Sequence, residues 1–313
     1  MFPQDVLDSF TKETGIGINY PYFDTDETML AKLESAKGGD YDVVLADDYI
    51  IETAIQEGLV MPLGREKLPN FKNINPTYQG LYYDPDDIYT VPYGAGVMTI
   101  VYNPETVDVD IRGFDDLLDP SLKDSIGIVN SPRVIQGMSL IADGKSLNSE
   151  DPAAIRKANE RLMKMAPNIR FIKEENLQDD IVSGEISVGV MFTSQVTQAC
   201  LADPGLKVVY PEEGIGFGTM AQFIPAHAPH ADAAHKFLDF ILRPEISREC
   251  FQQVGYYSTN READALFDEQ YRELLTLPDG FRIDEMEAMR NIPAEPQELH
   301  FELWTEFRSA CGK

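Results

Sequence analysis

Four histidines, His227, His230, His235 and His300, are the first candidates for metal or acid–base chemistry. His230 and His235 stand five apart, off a common helix face, and no H-E-x-x-H is present, so no metal site is expected. Gly144-Lys145-Ser146 ends like a phosphate loop. The nearest upstream glycine, Gly137, is however separated from it by six residues instead of four and follows a helical stretch rather than a strand. Gly214-x-Gly216-x-Gly218 lacks dinucleotide spacing and precedes a strand, not a helix. There is no G-x-S-x-G elbow and no spaced nucleophile–base set. The three cysteines, Cys200, Cys250 and Cys311, are odd in number and far apart, and read as structural thiols. What remains is acidic and aromatic, above all Asp47-Asp48-Tyr49, which closes the apolar run 41–46 and can cap the helix that follows. The chemistry open to such residues is reversible binding. No cofactor and no covalent step are expected.

Composition narrows the partners. Across 313 residues the formal net charge is −27, which repels nucleic acid and anionic membrane surfaces and allows, without demanding, a cationic partner. The acids are scattered rather than run together, as on a solvated surface. Hydrophobic residues make up 43%, enough for real cores, and the length favours two domains. No apolar run approaches the roughly 18 residues of a membrane helix.

The elements that must position these residues alternate. Helices are predicted at 3–14, 50–56, 133–142, 151–165, 231–242, 245–253 and 298–308 from apolar spacing of three and four. Strands are predicted at 16–20, 41–46, 59–63, 90–92, 97–102, 125–129, 170–173, 187–192, 207–210 and 219–224. Strands separated by helix-length segments imply parallel, doubly wound sheets. No Gly/Ser tether is present, so two domains would be joined by structured crossings. The best are 97–102 and 219–224, each preceded by glycines suited to a hinge: Gly94 and Gly96, then Gly214, Gly216 and Gly218.

Several phrases carry a family likeness: FTKETGIGINY, DETMLAKLESAKGGDYDVVLADDY, EGLVMPLGREKLPNFKNI, IYTVPYGAG, SGEISVGVMF, VVYPEEG and FILRPEISRECFQQVGYYSTN. Together they resemble the polyamine-type (spermidine/putrescine) substrate-binding proteins of ABC importers, over nearly the whole chain. The resemblance implies a type II, periplasmic-binding-protein-like α/β fold with two lobes, each a doubly wound sheet, joined by two crossover strands. Residues 1–98 with 219–264 would form the N-terminal lobe and 99–218 with 265–313 the C-terminal lobe. It implies an extracytoplasmic, periplasmic or cell-surface protein, a monomer, that closes about a hinge on a small organic cation in the interlobe cleft. That protein delivers its solute to permease subunits at the membrane and is not an enzyme.

Site residues follow by position. Family polyamine sites hold ammonium groups with carboxylates and surround the methylene chain with aromatic rings. Tyr49 matches an aromatic binding position. Asp47 stands where the family usually has a serine, and Asp48 is common at its place. Phe192 matches a cleft tryptophan and Tyr256 a cleft tyrosine. The departures are as informative. The family's acidic pair is replaced by Ser131 and Val134, its tryptophan and key aspartate by Gly218 and Met220, and a polar glutamine by Arg290. Asp47 can compensate at one end of a short amine. Alternatively Arg133 or Arg290 would suit an amino acid, carboxylate or phosphonate. A degenerate sensor or an enzyme on the same scaffold is the reading of another class.

The chain opens MFPQDVLDSFTKETG, a helix with no strand before it. Family chains carry a strand there that lies inside the N-terminal lobe's sheet. The first strand is therefore expected to be missing by truncation, together with any export signal.

Overall fold

The computed structural model describes residues 1–23, 25–278 and 286–312. In chain order the elements begin α1 (Gln4–Thr14), α2 (Asp26–Ser35), β1 (Val44–Asp47), α3 (Asp48–Gln56) and β2 (Thr90–Tyr102). They continue with β3 (Ile126–Val129), α4 (Pro132–Ala142), α5 (Pro152–Met165), β4 (Ile169–Lys173), α6 (Leu177–Val182), β5 (Val188–Phe192), α7 (Thr193–Ala202), β6 (Lys207–Val209) and β7 (Gly216–Phe223). They end with α8 (Ala231–Ile241), α9 (Pro244–Val254), β8 (Tyr257–Ser258), α10 (Arg261–Asp264), α11 (Glu269–Leu275), β9 (Glu287–Ala288) and α12 (Ala294–Ala310). Two compact units result: Met1–Ala95 with Gly218–Phe281, and Gly96–Phe217 with Arg282–Lys313. Among the described residues the chain passes between them within β2 and near the start of β7.

The first unit is built on a sheet with both faces covered. β1 pairs antiparallel with β7, Val44 opposite Phe223 through Asp47 opposite Met220, and β2 pairs antiparallel with β8. Side chains alternate between faces with period two. Val44, Ala46, Ala221 and Phe223 face one core with Met29, Leu33, Ile50, Ile51 and Ala54 of α2 and α3. Leu45 and Tyr93 face the other, with Val6, Leu7 and Phe10 of α1 and Phe240, Ile241, Ile246, Cys250 and Phe251 of α8 and α9. Helix α1 thus packs on α8, α9 and Tyr93. Phe10 meets Phe237 and Phe240 edge-on at 5.3 and 5.4 Å. Gly15 ends α1 in the left-handed region at φ 73°, its N–H donating to Thr11 O.

The second unit centres on β3, flanked by β4 and β5 in parallel register. β5 and β6 both pair antiparallel with β2. α4, α5 and α12 pack together beside it, joined by Ile155, Leu299 and Leu303.

Several expectations change. The sheets are mixed, because β2 and β7 carry the chain back across and run antiparallel to their partners. Residues 16–20 form no strand. Ile16, Ile18 and Tyr20 have the right alternation and pack partly buried on the α1 core, but their backbone meets no ladder. Residues 59–63 shrink to one bridge, Val60 with Pro225. The expected pair 90–92 and 97–102 is a single strand. Gly94 continues it and makes room there, since a Cβ would lie 3.2 Å from both Met220 and Phe251. Residues 265–278 belong to the first unit rather than the second, because Phe267 and Leu275 are buried in the α1 core. Residues 279–285 of that expected boundary lie outside the described residues.

Candidate functional site

In the first unit β1 runs directly into α3, so Asp47 ends a strand and Asp48 opens a helix. Asp47 occupies the N-cap position, but its side chain caps nothing. Its backbone N–H instead donates to Asp26 Oδ2 at 2.7 Å. Asp26 and Glu27 form the first turn of α2, which Thr25 caps by accepting from Thr28 N at 3.1 Å. Tyr49 OH donates to Glu27 Oε1 at 3.1 Å. Four carboxyls thus gather around one tyrosine at two helix N-termini, whose dipoles partly offset the charge. Among the described residues none of the four is in a salt bridge.

Crowding shows in the protonation equilibria. Asp47 retains access to solvent, yet loss of hydration and then the charges of Asp26, Asp48 and Glu27 hold its carboxyl well above the usual range. Asp26 is raised by desolvation and by Glu27, against the N–H of Asp47. Burial pushes Asp48 up to about 7 despite the hydrogen bonds it accepts from Thr219 and Tyr49. Tyr49 is raised by burial and then by Glu27, Asp47 and Asp26. Every one of these shifts disfavours negative charge, so the cluster is poised to gain from a cation.

Register adds Met220, directly opposite Asp47 on the same sheet face. Asp47, Tyr49 and Met220 are therefore brought together. Tyr256, which follows the α9 cap Gly255, is half-buried against the α1 core on the face that also takes Leu45.

The remaining predicted residues sit in the second unit. Ser131 precedes α4 at its N-cap without capping it. Arg133, two residues on, donates to Gln297 Oε1 at 2.9 Å, Arg290 O at 3.2 Å and Asn148 Oδ1 at 3.4 Å. Arg290 is exposed and its N–H donates to the same Asn148 Oδ1 at 2.8 Å. Asn148 thus joins Ser131's helix to the segment carrying Arg290. Phe192 is half-buried at the end of β5, just before α7. Sequence reasoning missed Asp26 and Glu27, which stand in the DETMLAKL phrase that carries the family likeness but were not singled out, and it predicted no helix there. It also missed Trp304, whose Nε1 donates to Asn130 Oδ1 at 3.1 Å beside Ser131. Asp47, Ser131 and Phe192 lie where a strand ends and a helix begins, the usual ligand end of α/β sheets, whereas Met220 is within β7, Tyr256 follows a helix and Arg290 follows β9.

A family model described as bacterial extracellular solute-binding protein matches residues 5–277, and the chain belongs to that family. It is 32% identical over 292 residues to the spermidine/putrescine-binding periplasmic protein of Salmonella typhimurium, covering 93% of this chain and 84% of the relative. A structure titled putative spermidine/putrescine ABC transporter from Listeria monocytogenes superposes with a TM-score of 0.88 at 30% identity, covering 98% of this chain and 95% of that one. The spermidine/putrescine substrate-binding protein PotD of Streptococcus pneumoniae gives 0.87 at 28%, covering 99% and 96%. The fold is accordingly that of the two-lobed periplasmic binding proteins.

Proposed function

We propose that this chain is the solute-binding component of an ABC importer, working outside the cytoplasmic membrane and capturing an organic amine of the putrescine or spermidine class. The observation that carries the reading is the convergence of Asp26, Glu27, Asp47 and Asp48 on Tyr49, in a chain whose relatives are named for spermidine and putrescine. An ammonium group offers three N–H donors. Asp47 and Asp26 would accept from it with charge assistance, and the Tyr49 ring would present its face to the cation and the adjoining methylenes. Met220, placed beside Asp47, supplies apolar surface where a carboxylate would bind a second charge. Capture is reversible and leaves the solute chemically unchanged before transfer to permease subunits. The anion reading is weaker, because Arg133 directs donors to Gln297, Asn148 and the Arg290 carbonyl.

Titration calorimetry with putrescine, spermidine, an amino acid and a phosphonate tests the reading. Amine binding is expected, weakened at least tenfold by Asp47→Ala. Binding of the phosphonate and of neither amine would overturn it.

A further inference from the structure

We propose that Asp48 is a positioning residue that gives up a proton as the ammonium group arrives. It is a buried carboxyl whose ionisation state reverses a hydroxyl chain through Thr219 to Tyr83, and whose hydrogen bonds hold Asp47, Tyr49 and Met220 in place. The inference rests on the amine reading above.

Asp48 is 3% exposed at the join of β1 and α3. Its Oδ1 accepts from Tyr49 N at 2.9 Å. Its Oδ2 accepts from Thr219 N at 3.1 Å and lies 3.4 Å from Thr219 Oγ1, which is 3.3 Å from Tyr83 OH. Thr219 and Tyr83 are themselves buried, and Thr219 precedes Met220, the register partner of Asp47. One side chain therefore ties the strand end, the helix start and β7 together.

The two hydroxyls let both protonation states be satisfied. Ionised, Oδ2 accepts from Thr219 Oγ1, which in turn accepts from Tyr83. Protonated, Oδ2–H donates to Thr219 Oγ1, whose hydrogen turns to Tyr83 OH. A carboxyl facing only N–H donors would have no place for its proton.

The charges that face this chain are nearly all negative. Asp47 adjoins it, Asp26 and Glu27 come from α2, and Asp84 and Asp87 act on Tyr83 from the segment before β2. Arg65 is paired with Asp87 at 3.4 Å. Burial pushes Asp48 up to about 7, so the empty protein carries a share of protonated Asp48 at neutrality. A cation at Asp47 stabilises the ionised form. The ammonium enters with its charge, and the Asp48 proton passes to buffer.

Amine affinity should then fall about tenfold between pH 8 and pH 6, as the competing proton fills Asp48. Putrescine calorimetry at pH 6, 7 and 8 in phosphate and in Tris measures affinity and proton release together. Wild type is expected to release a fraction of a proton at pH 7. Asp48→Asn is expected to release fewer protons than wild type and to show a shallower dependence of affinity on pH, what remains coming from Asp47 and Asp26, which are raised as well. Undiminished release from Asp48→Asn, or none from wild type that binds putrescine, overturns the Asp48 inference and leaves the amine reading standing. Failure of wild type to bind any amine overturns both. Should Asp48→Asn not fold, Thr219→Val carries the test. Removing the hydroxyl takes away the one group that serves both protonation states and leaves only N–H donors, so the midpoint of the affinity profile should move, and an unmoved midpoint overturns the inference.

Discussion

Gln222 lies fully buried in β7, opposite Leu45, and neither of its amide atoms finds a hydrogen-bond partner among the described residues. It shares a strand face with Met220, two residues away. A buried amide without partners costs about 1–3 kcal/mol, so Gln222→Leu is expected to stabilise the protein by about 1 kcal/mol or more. A higher urea midpoint with an unchanged m-value would show this, whereas a lower midpoint would mean the amide is satisfied by bound water. The same contrast explains which site residues could be read in advance. Asp47 and Tyr49 stand out in ADDY because they adjoin in sequence. Asp26 is 21 residues from Asp47 and meets it through a backbone N–H and through charge, neither of which sequence spacing shows.

Helix α2 brings Asp26 and Glu27 to the site, and its start depends on Thr25. Thr25→Ala should cost about 1 kcal/mol of stability, since it removes the side chain that accepts from Thr28 N. It should weaken amine binding without changing the ligand preference, because the carboxylates remain but are held less firmly; thermal melts and putrescine calorimetry on one sample check both. Most helices and strands were legible from apolar spacing, caps and glycine stops. Residues 16–20 were not, because alternation alone cannot say whether a partner strand lies alongside. Nor was the unbroken run of β2 through Gly94. That glycine follows from a methionine and a phenylalanine brought from β7 and α9.

For the molecule as a whole, several acids with raised proton affinity govern the response to pH. Asp48 and Asp264 are each pushed up to about 7, first by burial, and Asp26 and Asp47 are raised as well. Each native group holds its proton more tightly than the unfolded chain does, so stability falls as pH rises through that window. The ligand-free protein should therefore melt at a higher temperature near pH 5 than at pH 8. Glu13, Asp119 and Asp232 are lowered instead, by hydrogen bonds to Arg243, Ser121 and Lys67, and act in the opposite direction only in more acid solution. A melting temperature that climbs steadily from pH 5 to pH 8 would contradict this account. Saturating putrescine should reverse part of the trend, adding about 2.7 kcal/mol at 100 times its Kd.

The order of residues determined the alternating α/β elements, the absence of the motifs for covalent, nucleotide or zinc chemistry, and the family likeness. Those rest on local spacing and short phrases, which neighbours along the chain carry. Only the tertiary structure decided that β2 and β7 run antiparallel to their partners, that Arg133 is tied to Gln297 and Asn148, and that Asp26 and Glu27 join Asp47 and Asp48 around Tyr49. Each of these depends on pairing between residues far apart in the chain. Pairing is fixed by how whole faces bury against one another, and no single stretch of sequence records it.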